Sequence, residues 1–233
     1  MTWTNETVRT YQEQVRHWTP GELLRWAWET WGDGLTLASS FGLEDVALID
    51  MAARVFQPVD VFCLDTDLLF PETYRLMETL VQRYPIRLRR VRPRLTLEEQ
   101  AAQEGPELWR RDPDRCCGLR KVEPLGRALA GYAAWVTGIR REQAPTRAHA
   151  EPLEWDARHN LVKLNPLAYW TTDAVWAYVR AEAVPYNPLH DRGYPSIGCW
   201  PCTRAVAPGE DPRAGRWSGF DKTECGIHGG PAR

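Results

Sequence analysis

A chain of 233 residues is long enough to bury a full core, and a formal charge of −2 leaves neither a broad basic face for nucleic acid nor an acidic tail. No apolar run is long enough to cross a bilayer and no charged, apolar leader opens the chain, so a soluble cytoplasmic protein with no nucleic-acid or membrane partner is expected. In that reducing compartment, six cysteines favour metal ligation or thiolate chemistry over a disulfide framework.

Thr19-Pro20-Gly21-Glu22, followed by Leu23, Leu24, Trp26 and Trp28, predicts a capped amphipathic helix. LTLAS (35–39) reads as a short apolar strand, SFG as a turn and LEDVALIDMAARVF (43–56) as a helix with acidic residues in its first turn. The unit repeats with the strand VDVFCLD (59–65), a helix over 71–84 opened by Pro71, and the strand IRLRRV (86–91). Helices are expected near 96–104 and 119–131. AAWVTG (133–138) and LVKLNP (161–166) supply two more strands with a loop between them, and TTDAVWAYVRAEA (171–183) a last helix capped by Thr171 or Thr172. Strands alternating with helices predict an α/β fold with a doubly wound, mainly parallel sheet. Residues 1–184 are read as the α/β nucleotide-binding domain. Residues 185–233, rich in proline and glycine, are read as a loop-rich segment of that same domain.

In an open parallel sheet, ligands bind beyond the carboxyl ends of the strands, where helix N-termini offer N–H groups to anions. Three such ends stand out: Ser39, Ser40 and Gly42 in LASSFGLED, Leu64, Asp65 and Thr66 in CLDTDLLF, and Gly138, Arg140, Arg141 and Arg147 in VTGIRREQAPTR. Each alone is compatible with an ordinary turn. Together they suit an adenylate-type ligand, and neither GxGxxG nor a P-loop motif is present.

Cys199 and Cys202 form C-x2-C, and Cys116 and Cys117 stand side by side in RCCGLRK. Four sulfur ligands fit zinc or an iron–sulfur cluster, and adjacent cysteines suit the separate iron corners of a cluster better than one zinc ion. Buried thiols beside an unrelated turn are the plain alternative. Arg115, Arg120 and Lys121 would balance the negative charge of four thiolates or hold an anionic substrate close. Cys63, inside an apolar strand, is expected to be an inert core thiol. Cys225, in KTECGIH, has Lys222 and His228 close in sequence, and nearby cations favour the thiolate that attacks.

In this order, SSFGLED, LDTDLLFPETYR, RDPDRCCGLRKVEPL, TGIRREQAPTRA, VPYNPLHDRGYPSIGCWPCTR, RAGRW and KTECGIH resemble the assimilatory adenylyl-sulfate (APS) reductases of the phosphoadenylyl-sulfate (PAPS) reductase family, over roughly residues 35–228. The resemblance implies an adenine-nucleotide alpha-hydrolase-like fold and a 4Fe-4S cluster on Cys116, Cys117, Cys199 and Cys202. It makes Cys225 the nucleophile that reduces APS to sulfite and AMP through an S-sulfocysteine, with thioredoxin or a similar dithiol protein as partner. A homo-oligomer is compatible with it. Family members without a cluster generally lack both cysteine pairs and prefer PAPS, so PAPS or dual specificity is the alternative reading. A zinc-binding interaction module is the alternative of another class. Matched positions place Ser39, Ser40, Gly42 and Asp45 near the adenylate, and Leu64 and Asp65 near adenine or ribose. They place Gly138, Arg147, Arg213 and Arg216 around the phosphosulfate, with Lys121 and His228 beside the chemistry. Asp67 stands where many relatives have glycine.

Overall fold

The strand over Leu35–Ala38 (β1) is nearly all apolar and nearly all buried, as a strand covered on both faces must be. The computed structural model describes residues 2–228, and β1 stands centrally in a six-stranded sheet with β2 (Val59–Leu64), β3 (Ile86–Val91), β4 (Ala134–Val136), β5 (Leu153–Asp156) and β6 (Leu161–Leu164), in the order β3-β2-β1-β4-β6-β5. β1 runs parallel to β2, with Leu37 opposite Val61, and to β4, with Leu35 opposite Ala134; β4 in turn runs parallel to β6. The chain order reverses its direction across the sheet between β1 and β4. In sheets of this kind that is where a crevice opens at the strand ends.

Among the strands of known pairing, β5 departs from the expected alternation. It pairs antiparallel with β6, Leu153 opposite Leu164 and Asp156 opposite Leu161, where the sequence suggested only a loop. Its shortness explains the omission: the alternation of Leu153 and Trp155 with Glu154 and Asp156 spans only four residues, only Leu153 is buried, and Glu154 is matched across the pair by Lys163 at 3.0 Å.

Among the described residues there are nine α-helices: α1 (Asn5–Val15), α2 (Pro20–Trp31), α3 (Leu43–Val55), α4 (Pro71–Arg83), α5 (Leu97–Glu104), α6 (Leu108–Arg111), α7 (Pro113–Cys117), α8 (Glu123–Leu129) and α9 (Thr172–Ala181). Thr19 caps α2 in a reciprocal box with Glu22, and Thr171 is the residue that caps α9. The expected helix over 119–131 is a π-turn over Gly118–Val122 that leads into the short α8. From Val46 to Ala53, α3 is buried without interruption, and each large apolar side chain so removed from water contributes about 2 kcal/mol.

By compactness the chain divides into two units. The first comprises residues 1–63, 76–89 and 129–186, and contains β1, β4, β5, β6, α1, α2, α3 and α9. The second comprises residues 64–75, 90–128 and 187–233, and contains α5, α6 and α7 and a long C-terminal stretch that holds only short 3-10 turns among its described residues. No helix in the described residues is long and apolar enough to cross a membrane.

Candidate active site

In the first unit, the expected adenylate residues Ser39, Ser40, Gly42 and Asp45 follow β1, and two of the expected phosphosulfate residues, Gly138 and Arg147, follow β4. The Ser39 amide donates to the Phe62 carbonyl at 2.9 Å, and the Ser39 hydroxyl accepts the Phe41 amide at 3.1 Å. Phe41 takes a left-handed φ of 60° and is 1% exposed, so burial of its ring holds a turn the backbone resists. Ser40 donates its amide (2.6 Å) and hydroxyl (2.7 Å) to one oxygen of Asp45. Burial pushes the Asp45 carboxyl up to about 6, against the pull of those hydrogen bonds. Gly42 precedes α3 and supplies no side-chain cap, which leaves the first N–H groups of that helix without a side-chain acceptor there.

Gly138, at the end of β4, is a glycine because of close approach. A Cβ there would collide with an Asp45 carboxylate oxygen and sit 2.9 Å from Glu44 Cβ. Arg147 donates to Gln143 Oε1 at 2.6 Å, and Gln143 Nε2 donates to the Gly138 carbonyl at 3.0 Å, so one glutamine orients both. Arg140 is 3% exposed and paired with Glu44 at 2.7 Å, which makes it a strut rather than a ligand-facing cation.

In the second unit, Leu64 ends β2 and Asp65 follows it, with its carboxylate completely buried. It accepts from Tyr74 Oη (2.7 Å) and Arg90 Nε (3.0 Å), with Arg92 at 3.5 Å. Burial alone would raise its carboxyl, but those donors outweigh it and hold the group below the ordinary range. Asp65 thus organises the turn after β2 from within. Asp67 follows with a left-handed φ of 57°, which explains why glycine suits this position. Its carboxylate contacts Arg120 at 3.3 Å and Arg92 at 3.6 Å.

The π-turn after α7 changes the angular phase of the helix, a local feature frequent at functional sites. Arg120, 1% exposed, donates to the carbonyls of Thr66 (2.9 Å) and Leu95 (3.2 Å). The Thr66 hydroxyl in turn lies 3.2 Å from Cys199 Sγ. Arg120, expected from the sequence to balance the thiolates or hold an anionic substrate, is thus a buried strut that braces backbone carbonyls, a role with no signature in a linear pattern.

Cys116, Cys117 and Cys199 are buried, and Cys202 and Cys225 are half-buried. Burial first, and then the neighbouring thiols, push Cys116 up to about 12 and Cys202 up to about 11, and Cys117 is raised by burial as well. Cys116 and Cys202 both feel Cys117 and Cys199, so the two cysteine pairs are electrostatic neighbours. Burial pulls Lys121 down, but Cys199, Cys225 and Cys117 more than reverse this and hold it protonated. Among the described residues no three His, Cys, Asp or Glu side chains form a group that could hold a metal ion.

Arg216 lies against Gly198, where a Cβ would collide with its guanidinium, and it donates to Ser196 Oγ at 3.0 Å beside Cys199. Arg213 donates to the Thr223 carbonyl at 2.7 Å, close to Cys225 in sequence. His228, three residues beyond Cys225, is half-buried. Cys63 is 1% exposed within β2. The second unit therefore brings together both cysteine pairs, Lys121, Arg216 and Cys225. Ser39, Ser40, Gly42, Asp45, Gly138 and Arg147 form a separate set in the first.

Residues 34–205 match the phosphoadenosine phosphosulfate reductase domain. The chain is similar to the adenosine 5'-phosphosulfate reductase of Staphylococcus haemolyticus, 49% identical over 208 residues that cover 89% of this chain and 86% of that protein. The protein of that name from Geobacillus kaustophilus is 50% identical, with 89% and 88% covered. Among solved structures, the phosphoadenylyl-sulfate reductase from Candida auris, a phosphate complex, superposes with a TM-score of 0.75 at 32% identity, covering 88% of this chain and 99% of that one. The FMN adenylyltransferase of Candida glabrata shares the fold alone, with a TM-score of 0.58 at 17% identity over 85% of this chain and 65% of that one. Family model, relatives and superposition point the same way: the chain belongs to the phosphoadenosine phosphosulfate reductase family.

Proposed function

We propose that this protein is an oxidoreductase of sulfate assimilation and cysteine biosynthesis that reduces adenylyl sulfate to sulfite and AMP in the cytoplasm, taking its electrons from thioredoxin or a similar dithiol protein. The observation that carries this reading is the gathering of two cysteine pairs, a protonated Lys121 and a fifth cysteine, Cys225, in one unit of a chain whose relatives bear that name. Cys225 is the nucleophile. Its thiolate attacks the sulfur of adenylyl sulfate, the sulfur–oxygen bond to the phosphate breaks, and AMP leaves with the bonding pair. The product on the enzyme is an S-sulfocysteine. A thiolate of the dithiol partner then attacks the Cys225 sulfur, sulfite departs, and the partner's second thiol resolves the mixed disulfide, which returns Cys225 as a thiol. Two electrons pass from the dithiol to sulfur. With Cys63 in the core and four cysteines committed elsewhere, the chain has no resolving thiol of its own.

Ser39, Ser40, Gly42 and Asp45 would hold the adenylate, Leu64 and Asp65 would shape the adenine and ribose end, and Gly138, Arg147, Arg213 and Arg216 would surround the phosphosulfate. Lys121 and His228 would stand beside the moving charge, where fixed cations stabilise negative charge as it develops on the phosphate. Cys116, Cys117, Cys199 and Cys202 would hold a 4Fe-4S cluster. Their chemistry fits the group: the neighbouring thiols of Cys116, Cys117 and Cys202 resist ionisation until cationic iron shares their charge. When bound, the cluster supplies a fixed charged centre beside Lys121.

Sulfite release from adenylyl sulfate and from its 3'-phosphorylated analogue, with reduced thioredoxin, tests the reading. Wild type should turn over the former much faster, and Cys225→Ser should lose activity by about 10⁴-fold or more. A Cys225→Ser protein with full activity would overturn the assignment.

A further inference from the structure

The three residues before Cys225 are tied down within the second unit. The Lys222 side chain is 6% exposed, its ammonium is paired with the Asp114 carboxylate, and it lies 5.4 Å from the centre of the Trp217 ring. Arg213 Nη2 donates to the Thr223 carbonyl at 2.7 Å and contacts Glu224 at 3.5 Å. Just beyond Cys225, Gly226 takes a left-handed φ of 81°, and a Cβ there would be in ordinary contact with Val122, 3.5 Å away.

Burying a lysine at the surface of a loop-rich segment is unfavourable by default. Ordering its stem costs up to about 2 kcal/mol of rotamer entropy, and its ammonium loses water. A swing into solvent would avoid both. The position of Lys222 therefore reflects the specific partners it meets, an indole face and a carboxylate. The carboxylate belongs to α7, the helix that ends in Cys116 and Cys117, and Lys222 is near enough for its charge to be felt at Cys117. The contact can also be undone, because the Asp114 side chain is 61% exposed and water can replace the lysine on that side.

We propose that the Asp114–Lys222 ion pair is the positioning contact for Cys225: it fastens the C-terminal arm to the cysteine-bearing helix and opens to present Cys225 to a second thiol. The role assigned to Cys225 rests on the function proposed above. The fastening itself does not, and it can be measured without any turnover.

The experiment is alkylation of Cys225 by iodoacetamide in the iron-loaded protein, followed by mass spectrometry of the Cys225 peptide, with iron content and thermal midpoint recorded for each variant. Asp114→Asn and Lys222→Gln should each speed alkylation by about ten-fold, the scale of one partly exposed ion pair. The double variant should be no faster than either single one, because both remove the same contact. Asp114→Glu, which keeps the charge, should stay close to wild type. A pure field effect would behave differently: loss of a carboxylate favours the thiolate and loss of an ammonium disfavours it, so the two variants would move in opposite directions. Opposite directions, an unchanged rate in Lys222→Gln, or a double variant faster by about a hundred-fold would each overturn the proposal. If Asp114→Asn loses iron, the Lys222→Gln rate alone decides, with its recorded iron content showing that the cysteine pairs are intact. A protein that fails to release sulfite yet shows this pattern would refute the proposed reaction and leave the fastening intact.

Discussion

The two units hold their chemical groups in different ways. In the first, most partners at the strand ends are close in sequence, Ser40 to Asp45, Phe41 to Ser39, Arg147 to Gln143, with Arg140 to Glu44 as the long-range exception. In the second, they are far apart in sequence and meet through irregular backbone: Arg120 to the Thr66 carbonyl, Thr66 to Cys199, Lys222 to Asp114. A parallel sheet fixes its strand ends as soon as its core is buried. A loop-rich unit must fix each group with a dedicated contact, so it should be more sensitive to the loss of a single one.

Four variants can break or sharpen that contrast. The largest effect is expected from Cys199→Ser, which should lose both iron and acid-labile sulfide, abolish activity and open residues 187–228 to limited proteolysis, while β1 and β4 stay protected from hydrogen exchange. Zinc in the wild-type protein without labile sulfide would defeat the cluster assignment. Arg120→Met comes next. It leaves the Thr66 and Leu95 carbonyls and the Asp67 carboxylate without their guanidinium, and should cost about 3–5 kcal/mol in denaturant unfolding. A loss below about 1 kcal/mol would mean that the second unit does not depend on that contact.

Gly138→Ala probes the one place where the first unit should be as sensitive. Its new methyl group would displace the Asp45 carboxylate, and AMP affinity should fall by about ten- to a hundred-fold in calorimetry with little change in fold. The smallest effect is a pH dependence. Because the buried Asp45 carboxyl is raised to about 6, the folded state is favoured by its protonated form, and that contribution fades as pH climbs from about 4 through 6. Urea unfolding of wild type against Asp45→Asn at pH 4.5 and 7.5 should show the variant gaining relative stability at the higher pH, by about 1–3 kcal/mol. A gap that does not change with pH would show that Asp45 is not strained by burial.

Legibility in the sequence follows the same division. The limits of β1, β2 and β3, the helix after β1 and the Thr19 and Thr171 caps can be read because periodicity and capping are local signals. Helix α1 escapes because only Val8 and Val15 of its eleven residues are buried, too few to mark an apolar face. Strand β5 escapes because its alternation lasts only four residues and only Leu153 of them is buried, too short a signal to separate from a loop. In the second unit, the cysteine pairs are visible as spacing, whereas the π-turn, the buried Arg120 and the docked Lys222 depend on contacts across tens of residues. The glycine-to-aspartate departure at Asp67 is visible as an oddity. Its left-handed backbone and its salt bridges to Arg120 and Arg92 supply the reason.

Trp217 carries a last consequence. It is 3% exposed, its φ of 47° is one that bulky residues avoid, and its ring lies within 6.0 Å of Arg213, 4.6 Å of Arg216 and 5.4 Å of Lys222. Glycine would be the easier residue for the chain, but it would take away the one surface on which two phosphosulfate candidates and the arm's anchor all rest. Selection at this position therefore sets conformational ease against the shared footing of three cations. Trp217→Gly would ease the backbone while emptying a buried site and taking the shared ring from all three cations at once.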